Sequence, residues 1–236
     1  MLLLNRCHHP GMARYGQYCP ITRSLELLGD RWTLLIVRDL LVGAERFNEL
    51  ARGLPRLSRG LLSKRLDHLE RAGLVEHVDE RYLPTQACQD LRPVVFGLAE
   101  WGARWAFGEP RPDELDPTVL LWWMRGGIDP AAFGERERTV VHVRFRSGGR
   151  RRFWIVVQAA DVSLCFTDPG FDVDLTLDAD LDALYEVWDG RMEYGAAVRD
   201  RRLVVTGETG LVRALPRSLR LSPIAHYVRQ AVTTPA

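Results

Sequence analysis

The stretch LPRLSRGLLSKRLDHLERAGLVEHVDERYLPT, residues 54–85, constrains the fold more than any other part of the chain. Within it, three leucines recur at helical spacing and predict one buried face: Leu62, Leu66 and Leu69. Ser58 is suited to cap the start of this helix and Gly73 to close its end. A helix is therefore predicted over residues 59–72. The shorter periodic segment RFNELARGL predicts another helix just before it, so the pattern indicates a helix-turn-helix.

The opposite face of the predicted helix carries side chains that are small or can form hydrogen bonds: Gly60, Ser63, Lys64 and Asp67. With Arg59 at its tip, such a face suits the major groove of DNA, where a recognition helix meets base edges. Positive charge is concentrated here, because residues 46–71 hold seven basic and three acidic side chains in a chain of net charge +1. A solvated amphipathic helix in a bundle fits the pattern equally well. The candidate DNA-binding residues are Arg46, Arg56, Ser58, Arg59, Gly60, Ser63, Lys64, Arg65 and Arg81.

Two domains are expected from the way the periodicity changes along the chain. The segments LVEHV and RYLPT around DE predict a tight hairpin, and an apolar helix follows near residues 91–105. Three prolines and four acidic residues then interrupt the pattern at 108–117. We therefore expect a linker at 108–117 between a first domain, 1–107, and a second domain, 118–236.

The second half has the alternation of a sheet. TVVHVRFR and RRFWIVVQA alternate apolar and polar residues, as half-buried strands do, and DADLDALYEVWDG predicts an amphipathic helix laid on that sheet. The fold class predicted from the sequence is therefore multidomain, with a mainly-α winged helix-turn-helix followed by an α+β domain.

A specific set of residues in positions 18–105 matches a known pattern. They are Cys19-Pro20, Gly29 with Arg31-Trp32-Thr33, Phe47 with Leu50, Leu62 with Leu66 and Leu69, Gly73-Leu74, Leu91 with Pro93, and Trp101-Gly102. Together they resemble the HxlR family of bacterial winged-helix transcription regulators. The resemblance implies a homodimer joined through the first and last helices of this half. The positions that match the family's DNA-reading face are Arg59, Gly60, Ser63 and Lys64.

This chain departs from the family pattern around the wing. Family members usually have a longer wing, whereas only a few residues separate the two predicted strands here, which puts minor-groove contact by the wing in question. Where the family tends to have a leucine, a threonine and a glycine after the wing, this chain has Pro84, Thr85 and Cys88. These residues are expected to alter how the last helix leaves the domain.

Cys19 occupies the position at which some relatives use a cysteine as a redox or electrophile sensor. The resemblance therefore implies thiol-based sensing as a possibility, which Arg23 four residues later would assist by lowering the thiol pKa. The structural alternative is a small, half-buried side chain. Cys7, His8 and His9 together with Cys19 fit no closed tetrahedral zinc pattern, so no metal site is expected.

The second half resembles the sterol-carrier-protein-like fold, on the motif DVDLTLDADLDALYEVWDGRMEYGAAVRDRRLVVTGE at 172–208. This resemblance implies a sheet with helices over one face and an apolar cavity suited to lipids, sterols or other hydrophobic small molecules. Five aromatic residues are candidates to line it, although ordinary core packing also explains each of them. They are Trp122, Trp123, Trp154, Phe166 and Trp188.

Several classes of protein are excluded by what the sequence lacks. No apolar run is long enough to span a bilayer and no signal peptide is recognisable, so we expect a cytoplasmic protein without a membrane partner. No hydrolase, zinc-protease, dinucleotide-binding or P-loop signature occurs, so we expect neither an enzyme nor a cofactor. The sequence predicts a homodimeric regulator that binds a near-palindromic operator in double-stranded DNA and responds to a hydrophobic small molecule. The alternatives are a thiol-switch regulator acting through Cys19 and a lipid-binding protein without DNA function.

Overall fold

The computed structural model describes residues 15–146, 152–159 and 161–233. The chain divides into two compact units between Leu98 and Ala99. This division lies inside a helix that runs from Arg92 to Trp105, so the second unit begins before the linker expected at 108–117. Each unit is described by itself.

The first unit contains a helix-turn-helix followed by a two-stranded wing. Its elements are α1 (Pro20–Leu28), α2 (Thr33–Leu41), α3 (Phe47–Gly53), α4 (Arg59–Arg71), β1 (Val75–Val78), β2 (Arg81–Pro84), α5 (Gln86–Gln89) and the start of α6 (Arg92–Trp105). Strands β1 and β2 are antiparallel, and the turn between them consists of Asp79 and Glu80, which both have positive φ. The predicted winged helix-turn-helix is confirmed.

The hydrophobic core of the first unit forms because α2, α3 and α4 each present one apolar stripe. Leu62, Leu66 and Leu69 are fully buried together with Ile36 and Leu50. The predicted inward face of the helix at 59–72 is therefore confirmed. Burial of a leucine side chain contributes about 1.5–3 kcal/mol, so this stripe is enough to hold α4 against its neighbours.

The first helix is only partly packed against its own unit. Ile21, Leu25 and Leu28 have helical spacing, but of these three only Leu28 is buried, whereas Ile21 and Leu25 are exposed. The helix itself is present because Pro20 begins it, where a missing N–H costs nothing. Among the described residues, none covers Ile21 or Leu25 enough to bury it.

The second unit is an α+β fold, as predicted. Beyond α6 its elements are a 3-10 turn (Pro112–Glu114), α7 (Pro117–Arg125), a 3-10 turn (Pro130–Phe133), β3 (Thr139–Phe145), β4 (Arg152–Gln158), β5 (Asp161–Cys165), β6 (Leu175–Ala179), α8 (Leu181–Asp189), α9 (Tyr194–Arg199), β7 (Leu203–Gly207), α10 (Thr209–Ser218) and α11 (Ala225–Thr233). The strand order is β5-β4-β3-β6-β7. Only β3 and β6 are parallel neighbours; the other adjacent strands are antiparallel.

The two faces of this sheet have different roles. One face packs against α7, α8, α9 and α10 and carries buried residues such as Val143, Phe153 and Leu177. The alternate residues point to the other face, because successive side chains of a strand alternate. One row across that face consists of Cys165, Trp154, His142, Thr176 and Thr206.

The segment expected to be a linker is attached to the second unit. Arg191, just after α8, donates hydrogen bonds to the backbone oxygens of Phe107 at 3.0 Å and Gly108 at 2.7 Å. Its guanidinium also lies over the Phe107 ring, 4.6 Å from the centroid. The chain that follows α6 is therefore fixed at Phe107 and Gly108 by contacts with Arg191.

Candidate nucleic-acid interface

Helix α4 is fixed at its start by Ser58 and along its length by its leucines. Ser58 is the N-cap, and its Oγ accepts a hydrogen bond from the backbone N–H of Leu61 at 3.3 Å. Such a cap satisfies one of the orphan donors of the first turn and contributes about 1 kcal/mol. Ser58 is thus engaged in the fold, and its predicted contact with DNA would use the remaining hydroxyl hydrogen.

The outward face of α4 lies open along its first turns. Gly60, Ser63, Lys64 and Asp67 are all exposed, as expected from the helical wheel. A Cβ placed on Gly60 would have no heavy atom within 4 Å, so nothing in the described protein fills the space beside that residue. The face can therefore approach another molecule with its backbone as well as its side chains.

Arg59 stands at the tip of α4 and is held in place by α3. Its guanidinium lies 4.8 Å from the centroid of the Phe47 ring, and Nη2 donates to Asn48 Oδ1 at 2.9 Å. The residue is exposed, so its charge remains available at the surface. Contact with Phe47 and Asn48 reduces the conformational freedom that Arg59 would lose on binding.

The four predicted cations other than Arg59 and Lys64 differ in their surroundings. Arg65 is only 15% exposed and forms an ion pair with Asp30, before α2. Arg81 forms an ion pair with Glu45, with Nε at 2.8 Å from Oε2. Both charges are balanced within the protein, so a phosphate would have to compete with these carboxylates. Arg46, the N-cap residue of α3, and Arg56, just before α4, are exposed.

No pattern in the sequence indicates the partners of Arg65 and Arg81. Asp30 is 35 positions from Arg65, and Glu45 is 36 positions from Arg81. No periodicity connects residues so far apart. Only the fold, which brings the turn before α2 beside α4 and Glu45 beside the wing, places these groups together.

The wing has an acidic tip. Glu76, Asp79 and Glu80 are exposed on the hairpin, and the ring of His77 stacks on that of Tyr82 with centroids 4.2 Å apart. Carboxylates repel the phosphate backbone. The wing of this chain is therefore short, as the sequence predicts, and its exposed carboxylates disfavour a close contact with phosphate.

A buried carboxyl group lies on the neighbouring helix α2. Asp39 is fully buried, and Arg38 Nε donates to its Oδ1 at 2.7 Å. Removal from water raises the pKa of Asp39 from 3.8 to about 6, although the charge of Arg38 lowers it. The other oxygen of this carboxyl, Oδ2, has no hydrogen-bond partner in the described structure.

Cys19 is the N-cap residue of α1 and is partly exposed. The backbone N–H groups of Thr22 and Ile21 lower the pKa of its thiol, whereas desolvation raises it. Arg23, expected to assist, instead forms an ion pair with Glu26 at 2.9 Å. The assistance expected from Arg23 stays a prediction, and its charge is shared with a carboxylate of the same helix.

The residues considered for a zinc site can be followed only in part. Cys7, His8 and His9 lie outside the described residues. Within the described ranges, no group of three or more histidine, cysteine, aspartate or glutamate side chains is placed to hold a metal ion. Over the same ranges, no helix is long and apolar enough to cross a membrane.

The five aromatic candidates of the second unit lie in different surroundings. Trp122 is buried beneath the guanidinium of Arg125, and Phe166 meets the edge of Phe153 on the helix-covered face of the sheet. Trp154 lies on the other face, stacked on His142 with centroids 4.8 Å apart. Both remaining candidates are half-buried: Trp123 and Trp188. Trp154 and Phe166 thus do not line the same side of the sheet.

A depression of about 280 Å³ is present elsewhere in the second unit. It lies between the end of α7 and the edge strand β5. Its lining consists of Arg125, Gly126, Ile128, Pro130, Ala159, Asp161 and Val162. None of the five aromatic candidates belongs to this lining.

Comparison with known proteins gives matches to both halves of the chain. The family model described as HxlR-like helix-turn-helix matches residues 27–109. The uncharacterised HTH-type transcriptional regulator Rv3095 of Mycobacterium tuberculosis is 39% identical over 108 residues, 43% of this chain and 65% of the relative. The chain thus spans just under two thirds of the length of that relative.

A shorter relative is matched over nearly its whole length. The uncharacterised HTH-type transcriptional regulator YvaP of Bacillus subtilis is 34% identical over 113 residues, which are 44% of this chain and 96% of the relative. Among solved structures, Sterol Carrier Protein 2 Like 2 from Aedes aegypti is 15% identical, with coverage of 42% of this chain and 92% of that chain and a TM-score of 0.32.

Proposed function

This chain belongs to the HxlR-like helix-turn-helix family of transcription regulators, and on that premise we propose that it acts as a homodimer on operator DNA under the control of a small molecule. The observation that carries the proposal is the exposed face of α4, with Gly60, Ser63 and Lys64 unobstructed beside Arg59. Binding of this kind requires no catalysis by the chain.

The proposed reading element is the first half of α4 in the major groove. The groove is wide enough for a helix, and its base edges carry the donor and acceptor pattern that distinguishes sequences. The small residues let the helix backbone approach the base edges, and the Ser63 hydroxyl can form a hydrogen bond with a base. Lys64 and Arg59 supply positive charge. Arg46 and Arg56 are the proposed phosphate contacts beside α4, because both are exposed.

A homodimer is supported by large apolar side chains that are exposed in the part of the chain that the structure describes. On α1, Ile21 and Leu25 are exposed one helical turn apart. On α6, four exposed residues follow one another at spacings of four, three and four: Val94, Leu98, Trp101 and Trp105. Contiguous exposed apolar surface of this kind marks an interaction site, and a two-fold partner would bury it. Such a dimer would present its two α4 helices about 34 Å apart, matching successive major grooves of a near-palindromic site.

Control by a ligand is assigned to the second unit, which has its own core and a surface depression. A ligand can change DNA affinity only by binding one conformation of the protein better than another. The proposed regulator therefore has two conformations that differ in operator affinity, and the ligand favours one of them. A protein that binds lipids without any role on DNA is the competing proposal.

The test of DNA reading is a pair of matched charge deletions. Lys64→Ala is expected to weaken operator binding by roughly tenfold, measured by fluorescence anisotropy at fixed salt on an operator obtained by in vitro selection. Arg213→Ala, which removes an exposed cation from α10 in the second unit, is the control and should leave affinity unchanged. Equal affinities for Lys64→Ala and the unmodified protein would overturn the proposal for α4.

The test of the dimer uses charge on the apolar face. Leu98→Glu is expected to convert a dimer to a monomer in sedimentation equilibrium, since an unpaired carboxylate in an apolar interface is strongly unfavourable. Val232→Glu, an exposed apolar position on α11, is the matched control. A monomeric unmodified protein at micromolar concentration would contradict the homodimer.

A second candidate for the controlling signal is oxidation of Cys19. It is favoured by the position of this thiol at the N-terminus of α1, where the backbone N–H groups of Thr22 and Ile21 lower its pKa. Cys19→Ser is then expected to abolish any loss of operator binding caused by a quinone or peroxide. Cys165→Ser is the control. Because burial raises the pKa of the Cys165 thiol, this variant should retain the response. An unchanged response in Cys19→Ser would exclude this candidate.

A further inference from the structure

The depression between α7 and β5 has a cation fixed in its wall. Arg125 is the last residue of α7, and its guanidinium lies 3.7 Å from the centroid of the Trp122 ring. Its Nη1 donates to the backbone oxygen of Val162 at 3.1 Å. A guanidinium has five N–H donors in a planar fork, so it can hold a backbone carbonyl and a carboxylate at the same time. The charge is thus preorganised at one side of the depression.

A carboxylate forms part of the same wall. Asp161, the first residue of β5, is exposed and accepts a hydrogen bond from the Ser163 hydroxyl. A simple anion at Arg125 would be repelled by Asp161, and a simple cation at Asp161 would be repelled by Arg125. A molecule with both charges would gain from both side chains. A zwitterion can therefore match both charges in this wall, whereas a single ion can match only one.

The remaining lining is apolar. Ile128 is buried, Pro130 and Val162 are half-buried, and Ala159 adds a methyl group. Apolar surface next to a few fixed polar groups is the usual composition of a small-molecule site. The ligand should accordingly carry an apolar side group in addition to its two charges.

The size of the depression limits the ligand further. Its volume of about 280 Å³ is just below the roughly 300–1,000 Å³ of sites that enclose drug-sized molecules. It is open to solvent and too small to enclose a sterol or a long acyl chain. A compact molecule with a branched or aromatic side group is the size that fits.

From these four features we propose that the depression binds a free apolar α-amino acid. Arg125 holds the α-carboxylate, Asp161 holds the α-ammonium group, and Ile128, Pro130 and Val162 contact the side group. Its role as the regulating ligand rests on the proposed function, whereas binding itself does not. The expected ligand is polar at one end and small, unlike the lipid that the sequence suggests for this domain.

The experiment measures the binding of four probes to the full chain by isothermal titration calorimetry: L-leucine, L-phenylalanine, isocaproate and isoamylamine. L-leucine is expected to bind saturably, whereas isocaproate, which lacks the ammonium group, and isoamylamine, which lacks the carboxylate, should each bind at least about tenfold more weakly. Isocaproate binding as tightly as L-leucine would overturn the role of Asp161. L-leucine showing no saturable binding, together with none for L-phenylalanine, would overturn the site.

Two variants separate the site from the fold. Gly126 lines the depression in an ordinary right-handed conformation, and a Cβ there meets only the Trp123 oxygen at 3.6 Å. Gly126→Leu should therefore fold normally and block L-leucine by occupying the cavity. Asp161→Asn should lower affinity for L-leucine to that for isocaproate. Unchanged L-leucine binding in folded Gly126→Leu would refute the location.

The outcome is independent of DNA binding. Lys64→Ala lies in the first unit and is expected to leave L-leucine affinity unchanged although it weakens operator binding. Conversely, Gly126→Leu is expected to bind the operator normally but to lose any effect of L-leucine on it. Failure of the amino-acid site would thus be seen without affecting the test of α4.

Discussion

A glycine on the outward face of α4 allows protein stability and DNA binding to be separated. Gly60 is the second residue of the helix, and a Cβ at this position meets no atom within 4 Å. Replacing a helical glycine by alanine removes backbone entropy from the unfolded chain and stabilises the fold by about 0.5–1 kcal/mol. Gly60→Ala is therefore expected to raise the thermal midpoint of the first unit by a few degrees.

The same methyl group should have the opposite effect on DNA affinity. If the start of α4 lies against base edges, added side-chain volume at Gly60 occupies space that the DNA needs. We expect a modest loss for Gly60→Ala and a loss of about tenfold or more for Gly60→Leu, equivalent to at least about 1.4 kcal/mol. Fluorescence anisotropy with the selected operator at fixed salt, alongside calorimetry of unfolding, measures both quantities on the same samples.

A matched glycine in the second unit provides the control. Gly210 is likewise the second residue of its helix, α10, and its nearest contact for a Cβ is Glu208 Oε1 at 3.6 Å. Gly210→Ala should leave operator affinity unchanged. Wild-type affinity in a folded Gly60→Leu variant would refute the placement of this face against DNA.

Three further predictions follow from the first unit. Replacing Asp79-Glu80 by Asn-Gly keeps the two positive φ angles of the wing turn and removes two carboxylates. Operator affinity should therefore rise several-fold at about 0.05 M salt and less at about 0.2 M salt, where charges are screened more strongly. Unchanged affinity would place the wing away from DNA. Burial raises the pKa of Asp39 from 3.8 in the unfolded chain to about 6 in the folded chain, so the folded chain binds this proton more tightly than the unfolded chain does. The free energy of unfolding therefore falls as the pH rises from 3.8 to about 6. Asp39→Asn should therefore stabilise the fold by on the order of 2–3 kcal/mol at pH 7 and much less near pH 4, by denaturant titration. Asp30→Asn should destabilise by about 1 kcal/mol, because it leaves the largely buried Arg65 without its carboxylate; equal stability would mean that water replaces the pair.

The fold of the first unit was predictable because local signals agree there. The cap at Ser58, the leucine stripe of α4 and the short turn at Asp79 each specify one conformation without reference to distant residues. The same periodicity was less informative for α1, where Ile21 and Leu25 have helical spacing but remain exposed. Periodicity indicates which residues need an apolar partner, but it does not state whether that partner lies in the same chain.

The candidate sites were predictable only where one element carries all the residues. The outward face of α4 could be derived from a helical wheel, since one helix positions every member. The ion pairs of Arg65 and Arg81 depend on residues more than thirty positions away, and so does the depression beside β5. Strand alternation places Trp154 on the face opposite Phe153, but relating Trp154 to Phe166 also needs the register between β4 and β5, which alternation does not give.

Lys64 is the only lysine in the sequence, and the structure leaves it exposed on α4. An amine-reactive reagent therefore finds a single side-chain target in the whole chain, located at the centre of the proposed contact. The rate at which this one amine is acylated therefore reports whether the outward face of α4 is occupied. Binding of a duplex would lower the acylated fraction of the one peptide that contains Lys64. Mass spectrometry measures that fraction without an engineered probe.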